Sequence, residues 1–493
     1  VPFSKDNRPK LPDSYFNFNV TTPSVVPPAP GATVAIPIIN DWGPFEEARL
    51  VGSFAEYQAL YGYSDDTPGY LAVKQAFIGE GLKGRYGAGG VLVYRFGDSG
   101  AAKASKQLTN AKEAPENALK LVARYNGTRA NSLAVTTRAH AGDASKQDLL
   151  LLDGTSVLEE YTYTATDITR LGELINKRSN WVTAEVQKTG TKLTTVTASA
   201  LTGGDDGDTP VAEDWTNAFD AIALEPFGVI APFDLVDNAI QVSLQTWLRD
   251  QNDNKNKRFM AVIGGELGET LEDAEDRAEE IADPEVIVFG VGTYRSPDLG
   301  PEGTEIELST SQLAPRIAGI LAAKGEYAAL TYARLAALEI VTGPTDAEIA
   351  SAYDAGVLVV ARDDDPEAPT HIKVGHSTWT EVDADGEPKK PYFIYREPKY
   401  VRTMHGIQTD LAAYFRREIL GRRPVNDDTR DAVVSEAKSL LAEREKLGVI
   451  QPGWKVGIDQ DPPPSDDDEF VALAMELKFG RALKQVYVTL TIG

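Results

Sequence analysis

The sequence predicts a multidomain protein of mixed α/β and α+β class. Strands and amphipathic helices alternate from Pro210 to about Gly343, the pattern of a mostly parallel sheet covered by helices. Residues 118–205 change texture to short runs rich in Thr, Ser, Val and Leu, which reads as mainly β. A chain of 493 residues also exceeds what one core organises, so three or four domains are expected.

Residues 1–32 read as an extended arm. Proline recurs at Pro2, Pro9, Pro12, Pro23, Pro27, Pro28 and Pro30, and proline blocks helix interiors. Inside the arm "YFNFNV" alternates: Phe16, Phe18 and Val20 share one strand face, and Tyr15, Asn17 and Asn19 the other. An α/β core is expected from 33–117 and 206–343. "TVAIPII" reads as a strand, "SFAEYQALYG" as a helix closed by Gly62, "YLAVKQAFIGEG" as a second helix and "GVLVYRF" as a strand. The insertion at 118–205 ends at the turn-rich "LTGGDDGDTP". Beyond it, Trp215, Phe219 and Ile222 have helical spacing, as do Ile240, Leu244, Trp247 and Leu248. "FGVIAPF", "RFMAVIGG" and "EVIVFGVG" read as strands, "LEDAEDRAEEIAD" and "QLAPRIAGILAAKG" as helices.

Residues 344–493 are expected to form an α+β domain. "DAEIASAYDAG" reads as a helix ending at Gly356, and "VLVVAR" as a strand. Ile407, Leu411, Tyr414, Phe415 and Ile419 make an apolar helical stripe ending near Gly421. On the next helix Val433, Ala437, Leu440, Leu441 and Leu447 line one face, and Gly448 closes it. After the acidic "QDPPPSDDD", Val471, Leu473, Met475, Leu477 and Phe479 share one strand face. The chain then ends in "LKQVYVTLTIG", with Val486, Val488, Leu490 and Ile492 on one face, so a terminal hairpin is expected. Chain ends fray unless something ties them down, so this strand pairs with its own domain or with another molecule.

Composition narrows the chemistry. Hydrophobic content of 42% and charged content of 25% suit a folded soluble protein. The absence of cysteine excludes disulfides, thiolate metal sites and thiol nucleophiles. A formal net charge of −25 disfavours nucleic acid and anionic lipid as partners. "VPFSKDNRPKLPDSYF" lacks the apolar core of a signal peptide, and no apolar run approaches the roughly 20 residues of a membrane span. A protein folded in a cytoplasm is expected.

Motifs for catalysis or ligand binding are weak. "GRYGAGG" places glycines after a helix and before a strand, the reverse of a phosphate loop, and reads as a tight turn. The acidic clusters "GGDDGDTP", "RDDDPE", "DADGEP" and "PSDDDE" read as solvated loops, with a weak structural cation the alternative. His140, His371, His376 and His405 form no metal-ligating pair, and "GHSTW" lacks the glycine-flanked elbow of a serine nucleophile. No catalytic, cofactor or metal site is expected. An α/β hydrolase remains the remote alternative, and it requires Ser, His and Asp within hydrogen-bonding reach. One charge anomaly remains. Arg396, Lys399, Arg402, Arg416, Arg417, Arg422 and Arg423 face only Glu397, Asp410 and Glu418 along the same stretch. That suits contact with an acidic surface, or cations gathered at a helix C-terminus.

Five segments in order resemble the contractile bacteriophage tail sheath proteins. They are "VAIPIINDWGPFEEARLVGSFAEYQALYG", "GGVLVYRF", "EIASAYDAGVLVVARDDD", "YVRTMHGIQTDLAAYFRREILGRRPVNDDTRDAVVSEAKSLLAEREKLGVIQ" and "ALAMELKFGRALKQVYVTLTIG". The resemblance implies a structural subunit without cofactor or catalytic centre, built on a subtilisin-like core. Such subunits stack as hexameric rings around an inner tail tube and contract to drive it through a bacterial envelope. Baseplate and tail terminator proteins are the further partners, and the virion tail, assembled in the host cytoplasm, is the expected location. In that family, terminal segments of neighbours join a sheet of the C-terminal domain. The resemblance therefore implies an inter-subunit linkage through Tyr15, Phe16, Phe18 and Val20 with Val486, Val488, Leu490 and Ile492. It also points Arg416, Arg417, Arg422 and Arg423 at the tube or a neighbour, and the outward-facing insertion at solvent. The sheath of a headless contractile bacteriocin or injection system is an equal fit to the sequence.

Overall fold

Strand β1 (Thr33–Ile38) is buried at every position, and its side chains serve two cores. Val34, Ile36 and Ile38 enter one, and Ala35 enters the other. A strand apolar on both faces belongs inside a sheet with helices on each side. The computed structural model describes residues 32–62, 64, 67–81, 86–97, 100–207, 209–255, 257–297, 299–326, 328–362, 370–380, 395–460 and 471–479.

After β1 come β2 (Ala48–Val51), helices α1 (Phe54–Tyr61) and α2 (Pro68–Ile78), and β3 (Gly90–Arg95). Ser53 caps α1 by accepting from the Glu56 N–H at 3.2 Å, and Gly62 stops it at φ 94°. The next unit contains β4 (Ser105–Thr109), β5 (Asn117–Ala123), β6 (Leu133–Ala139), β7 (Lys146–Asp153), β8 (Ser156–Thr164), α3 (Ile168–Arg178), β9 (Val182–Val186) and β10 (Val196–Ala200). The chain then alternates through α4 (Ala212–Ile222), β11 (Val229–Ile230), α5 (Asn238–Arg249), β12 (Met260–Gly264), α6 (Leu271–Ile281) and β13 (Val286–Phe289). Next follow β14 (Thr293–Ser296), β15 (Ile306–Leu308), α7 (Thr310–Ala323), β16 (Glu339–Thr342), α8 (Asp346–Ala355), β17 (Val357–Arg362) and β18 (Thr370–Val374). Helices α9 (Pro398–Glu418) and α10 (Asp427–Lys446) precede β19 (Lys455–Ile458) and β20 (Leu473–Glu476).

Among the described residues the largest sheet has eight strands in the order β18-β17-β13-β12-β11-β1-β3-β2. The pairs from β17 through to β3 are all parallel, and β18 and β2 close the two edges antiparallel. The alternation seen in β1 repeats: Val91 and Val93 face the first core, and Leu92 and Tyr94 the second. Helices α1, α2 and α7 cover one face, and α4, α5, α6 and α8 cover the other. The expected alternation of strands and helices is present.

The β-rich unit encloses a third core between a three-stranded sheet, β4-β5-β9, and a four-stranded sheet, β10-β6-β7-β8. Its helix α3 was not foreseen; Ile168, Leu171 and Ile175 bury one stripe against this core. Two pairings cross the expected domain boundaries. Strand β4 lies before residue 118 yet pairs with β5, and β17 and β18 lie after 343 yet extend the eight-stranded sheet. A fourth core joins α9, α10, β19 and β20. Two side chains expected on buried faces are exposed instead, Leu447 at 66% and Met475 at 36%. Leu447 falls just past the end of α10, beyond the last turn that packs.

Candidate functional site

Helix α9 is built for two surfaces. Pro398 occupies its first turn, where the missing N–H costs nothing. Ile407 and Leu411 pack on Ala437 and Leu441 of α10, with Phe415 half-buried beside them. Asn426 caps α10 by accepting from the Thr429 N–H at 2.9 Å.

The basic stretch divides along this helix. Arg396 points inward and donates to the carbonyls of Tyr353 and Asp354, with its guanidinium over the Tyr353 ring. Lys399 is buried with its ammonium 4.5 Å from the Tyr400 ring centre. Arg402 donates to the Lys324 carbonyl at 2.8 Å, and burial lowers its pKa to about 10. Arg416, Arg417, Arg422 and Arg423 are exposed at the far end. Arg416 and Arg417 lie in the last turn of α9, where the free carbonyls carry partial negative charge. Arg422 and Arg423 lie beyond it, in the turn carried by Gly421 at φ 69°, and donate their N–H groups to the Ile419 carbonyl. The helix end accounts for two of these cations and leaves two. Sequence alone could not sort the stretch, because the carbonyls that hold its first half come from residues 324 and 353–354.

The α9–α10 pair is tied to the eight-stranded sheet. Arg444 reaches Asp410 at 2.8 Å and Glu326 at 3.4 and 3.5 Å. Gly406 lets Glu326 approach, since a Cβ there would collide with its carboxylate. His405 Nε2 lies 2.9 Å from Glu285. Between helix and sheet runs a cleft of about 580 Å³, lined by Phe227, Phe259, Arg402, His405, Asp410 and Arg416. Glu326 and Arg444 were not singled out by sequence reasoning, and no local pattern marks them.

Strands β19 and β20 form a two-stranded antiparallel ribbon, with Lys455 opposite Glu476 and Ile458 opposite Leu473. Val456 and Leu473 turn one face to the α9–α10 core. Each strand has an edge with no further strand on it among the described residues. Such edges present free N–H and C=O groups to an added strand. The expected linking residues Tyr15, Phe16, Phe18, Val20, Val486, Val488, Leu490 and Ile492 lie outside the described residues, as does the terminal half of the expected hairpin. The described partner of the 473–476 strand is β19.

A hydrolytic centre needs an imidazole beside a serine and a carboxylate. Ser311, at the start of α7, lies 3.3 Å from Asp234 Oδ1 and is fully buried. The four histidines sit elsewhere: His140 on Asp148 at 2.8 Å, His371 stacked on Tyr332, His376 against Tyr353, and His405 on Glu285. Among the described residues no group of three His, Cys, Asp or Glu side chains is placed to hold a metal ion, and no helix is long and apolar enough to cross a membrane.

Three family-level sequence models match the chain in consecutive order. The phage tail sheath protein beta-sandwich domain matches 99–206, the phage tail sheath protein central domain 208–368, and the phage tail sheath C-terminal domain 394–493. The chain belongs to the phage tail sheath family. Among curated relatives, YqbK of Bacillus subtilis, a protein of uncharacterised function, is 24% identical over 264 residues, covering 52% of this chain and 53% of its own length. A protein designated tail sheath in Enterococcus phage phiEF24C is 32% identical over 121 residues, covering 24% of this chain and 20% of its own. The chain thus spans about half of the first relative and a fifth of the second. In fold, this sheath-family chain is similar to the sheath tail protein of Desulfitobacterium hafniense (TM-score 0.69, 18% identity, 95% of this chain and 100% of that one). It is also similar to the Listeria innocua sheath tail protein (0.64, 20%, 91% and 94%). A chain of the anti-feeding prophage baseplate in its contracted state aligns at 0.54 and 12% identity over 98% of both chains.

Proposed function

We propose that this chain is the structural subunit of a contractile phage tail sheath. Copies would form hexameric rings, stack helically around an inner tail tube, and shorten to drive the tube through a bacterial envelope. The observation that carries this reading is the run of three sheath-domain matches, in order, from residue 99 to 493. Baseplate and tail terminator proteins would meet the two ends of the sheath, in a virion tail assembled in the host cytoplasm.

The parts take roles within that reading. Residues 1–32 serve as an arm, the parallel sheet and its helices as a subtilisin-like core, the β-rich insertion as the outward face, and the last third as the linking domain. Strand pairing favours starting the insertion near residue 100 and keeping β17 and β18 with the core. A subtilisin-like ancestry is supported by the doubly covered parallel sheet and by a serine beside an aspartate at the start of α7. The terminal segments of neighbouring copies would add strands to the open edges of β19 and β20. Main-chain hydrogen bonds then hold the lattice while folded bodies re-dock. Arg416, Arg417, Arg422 and Arg423 would face the tube or a neighbour.

Deletion of residues 485–493 tests the linkage. Electron microscopy of particles carrying the shortened subunit should find no intact contractile sheath; normal sheaths would refute it. Reversing charge at Arg416 and Arg417 should separately weaken sheath attachment to the tube, and unchanged assembly would remove that role alone. A second reading, the sheath of a headless contractile bacteriocin or injection system, is favoured by the likeness to the anti-feeding prophage baseplate chain.

A further inference from the structure

We infer that Arg95 and Trp42 fuse the insertion to the α/β core, so that the two move as one rigid body. Arg95 closes β3 and is 1% exposed. Its Nε donates to the Asn40 carbonyl at 2.6 Å, and its Nη1 to the Gly43 carbonyl at 3.1 Å. Those two carbonyls belong to the core loop after β1. The same Nη1 donates to the Asn126 carbonyl of the insertion at 2.9 Å. One guanidinium therefore bridges both units. Its planar fork suits several fixed carbonyls, which an ammonium could not span.

Trp42 crosses the junction in the other direction. It leaves the core loop and enters the hydrophobic core of the insertion, 3% exposed, stacked on Trp181 at 5.4 Å and edge-on to Tyr125 at 5.2 Å. Gly127 makes the approach possible, because a Cβ there would collide with the Asp41 carbonyl. At the rim, Asp206 accepts from the Thr128 N–H at 2.8 Å and from its hydroxyl at 2.6 Å, and lies 3.9 Å from Arg95.

The position of the joint adds to the case. Strand order reverses at β1, with β3 on one side and β11 on the other. In open parallel sheets ligands bind outside the carboxyl end of such a strand. Here that end carries Asn40, Asp41 and Trp42, and the insertion lies on them. The crevice that many α/β proteins give to a ligand holds an inter-domain weld in this one. A flexible linker would predict few buried contacts crossing the boundary; the structure has a buried cation and a buried tryptophan there.

The test uses the full chain. Cysteine is absent, so Ser156→Cys in the insertion and Ser351→Cys on α8, both exposed, place one spin label on each unit. Labelled protein is diluted into unlabelled chain, and the label separation is read by pulsed dipolar spectroscopy. The parent should give one narrow distance distribution. Arg95→Gln should lose that single peak while the far-ultraviolet dichroism stays unchanged. A broad distribution in the parent, or an unchanged narrow one in the variant, overturns the inference. If Arg95→Gln does not fold, Arg95→Lys is read instead. It keeps the charge without the fork, and an unchanged peak there overturns the inference equally.

Discussion

At the scale of single residues, Arg95 and Arg316 are buried cations that serve backbone carbonyl groups. Arg316 is fully buried on α7 and donates to Gly79 at the end of α2 at 2.8 Å and to the Ala336 carbonyl at 2.5 Å. Burial lowers the pKa of Arg316 and of Arg95 to about 10, so both stay charged at neutral pH. Asp41 shows the opposite balance: burial, then the charge of Asp206, raises its pKa above 3.8, and Arg129 and Arg95 offset this in part. A carboxyl raised in the folded state contributes stability while protonated, below its unfolded value, and loses it as pH rises through the folded value. Asp41→Asn has no such loss. Its melting temperature relative to the parent should therefore climb in thermal scans as pH rises above the ordinary aspartate value of 3.8 and through the raised folded value. A difference independent of pH would contradict the assignment. The sequence showed Arg95 ending an apolar run, but not its purpose, since its partners stand 52 and 55 residues before it and 31 after.

Among elements, legibility followed burial. The parallel strands were readable because burial on both faces leaves continuous aliphatic runs such as "VLVY". Helix α3 was not, because only Ile168, Leu171 and Ile175 mark it within a stretch whose composition favours strands. The short strands β2 and β14–β16 carry no periodicity of useful length. The α9–α10 stripes were legible, yet Leu447 shows that spacing overextends a face past the last turn of α10. What docks this helical pair was invisible in sequence, since Arg444 and Glu326 lie 118 residues apart. Arg444→Ala removes the contacts to Glu326 and Asp410 and should cost about 2 kcal/mol in denaturant unfolding. Hydrogen exchange should quicken in α10 while protection in β12 persists; uniform loss across both would mean the pair is not a separately anchored element.

For the whole molecule, the described residues build four hydrophobic cores. The eight-stranded sheet carries an antiparallel strand at each edge, β18 and β2. The β19–β20 ribbon is small and its edges are open among the described residues, and it is the place we propose for strands from neighbouring copies. A contact that passes from copy to copy without closing on itself generates a helical filament. An insertion fixed to the core would let the lattice change shape by swinging whole subunits on their strand links. The resemblance made the sheath family readable from five ordered segments, whereas the proposed linking strands lie outside the described residues.

The most direct measurement is negative-stain electron microscopy of the purified full chain at high concentration. Backbone-linked copies should appear as long hollow cylinders with sixfold end views. Monomers alone, at concentrations where a sheath subunit should polymerise, would contradict the account.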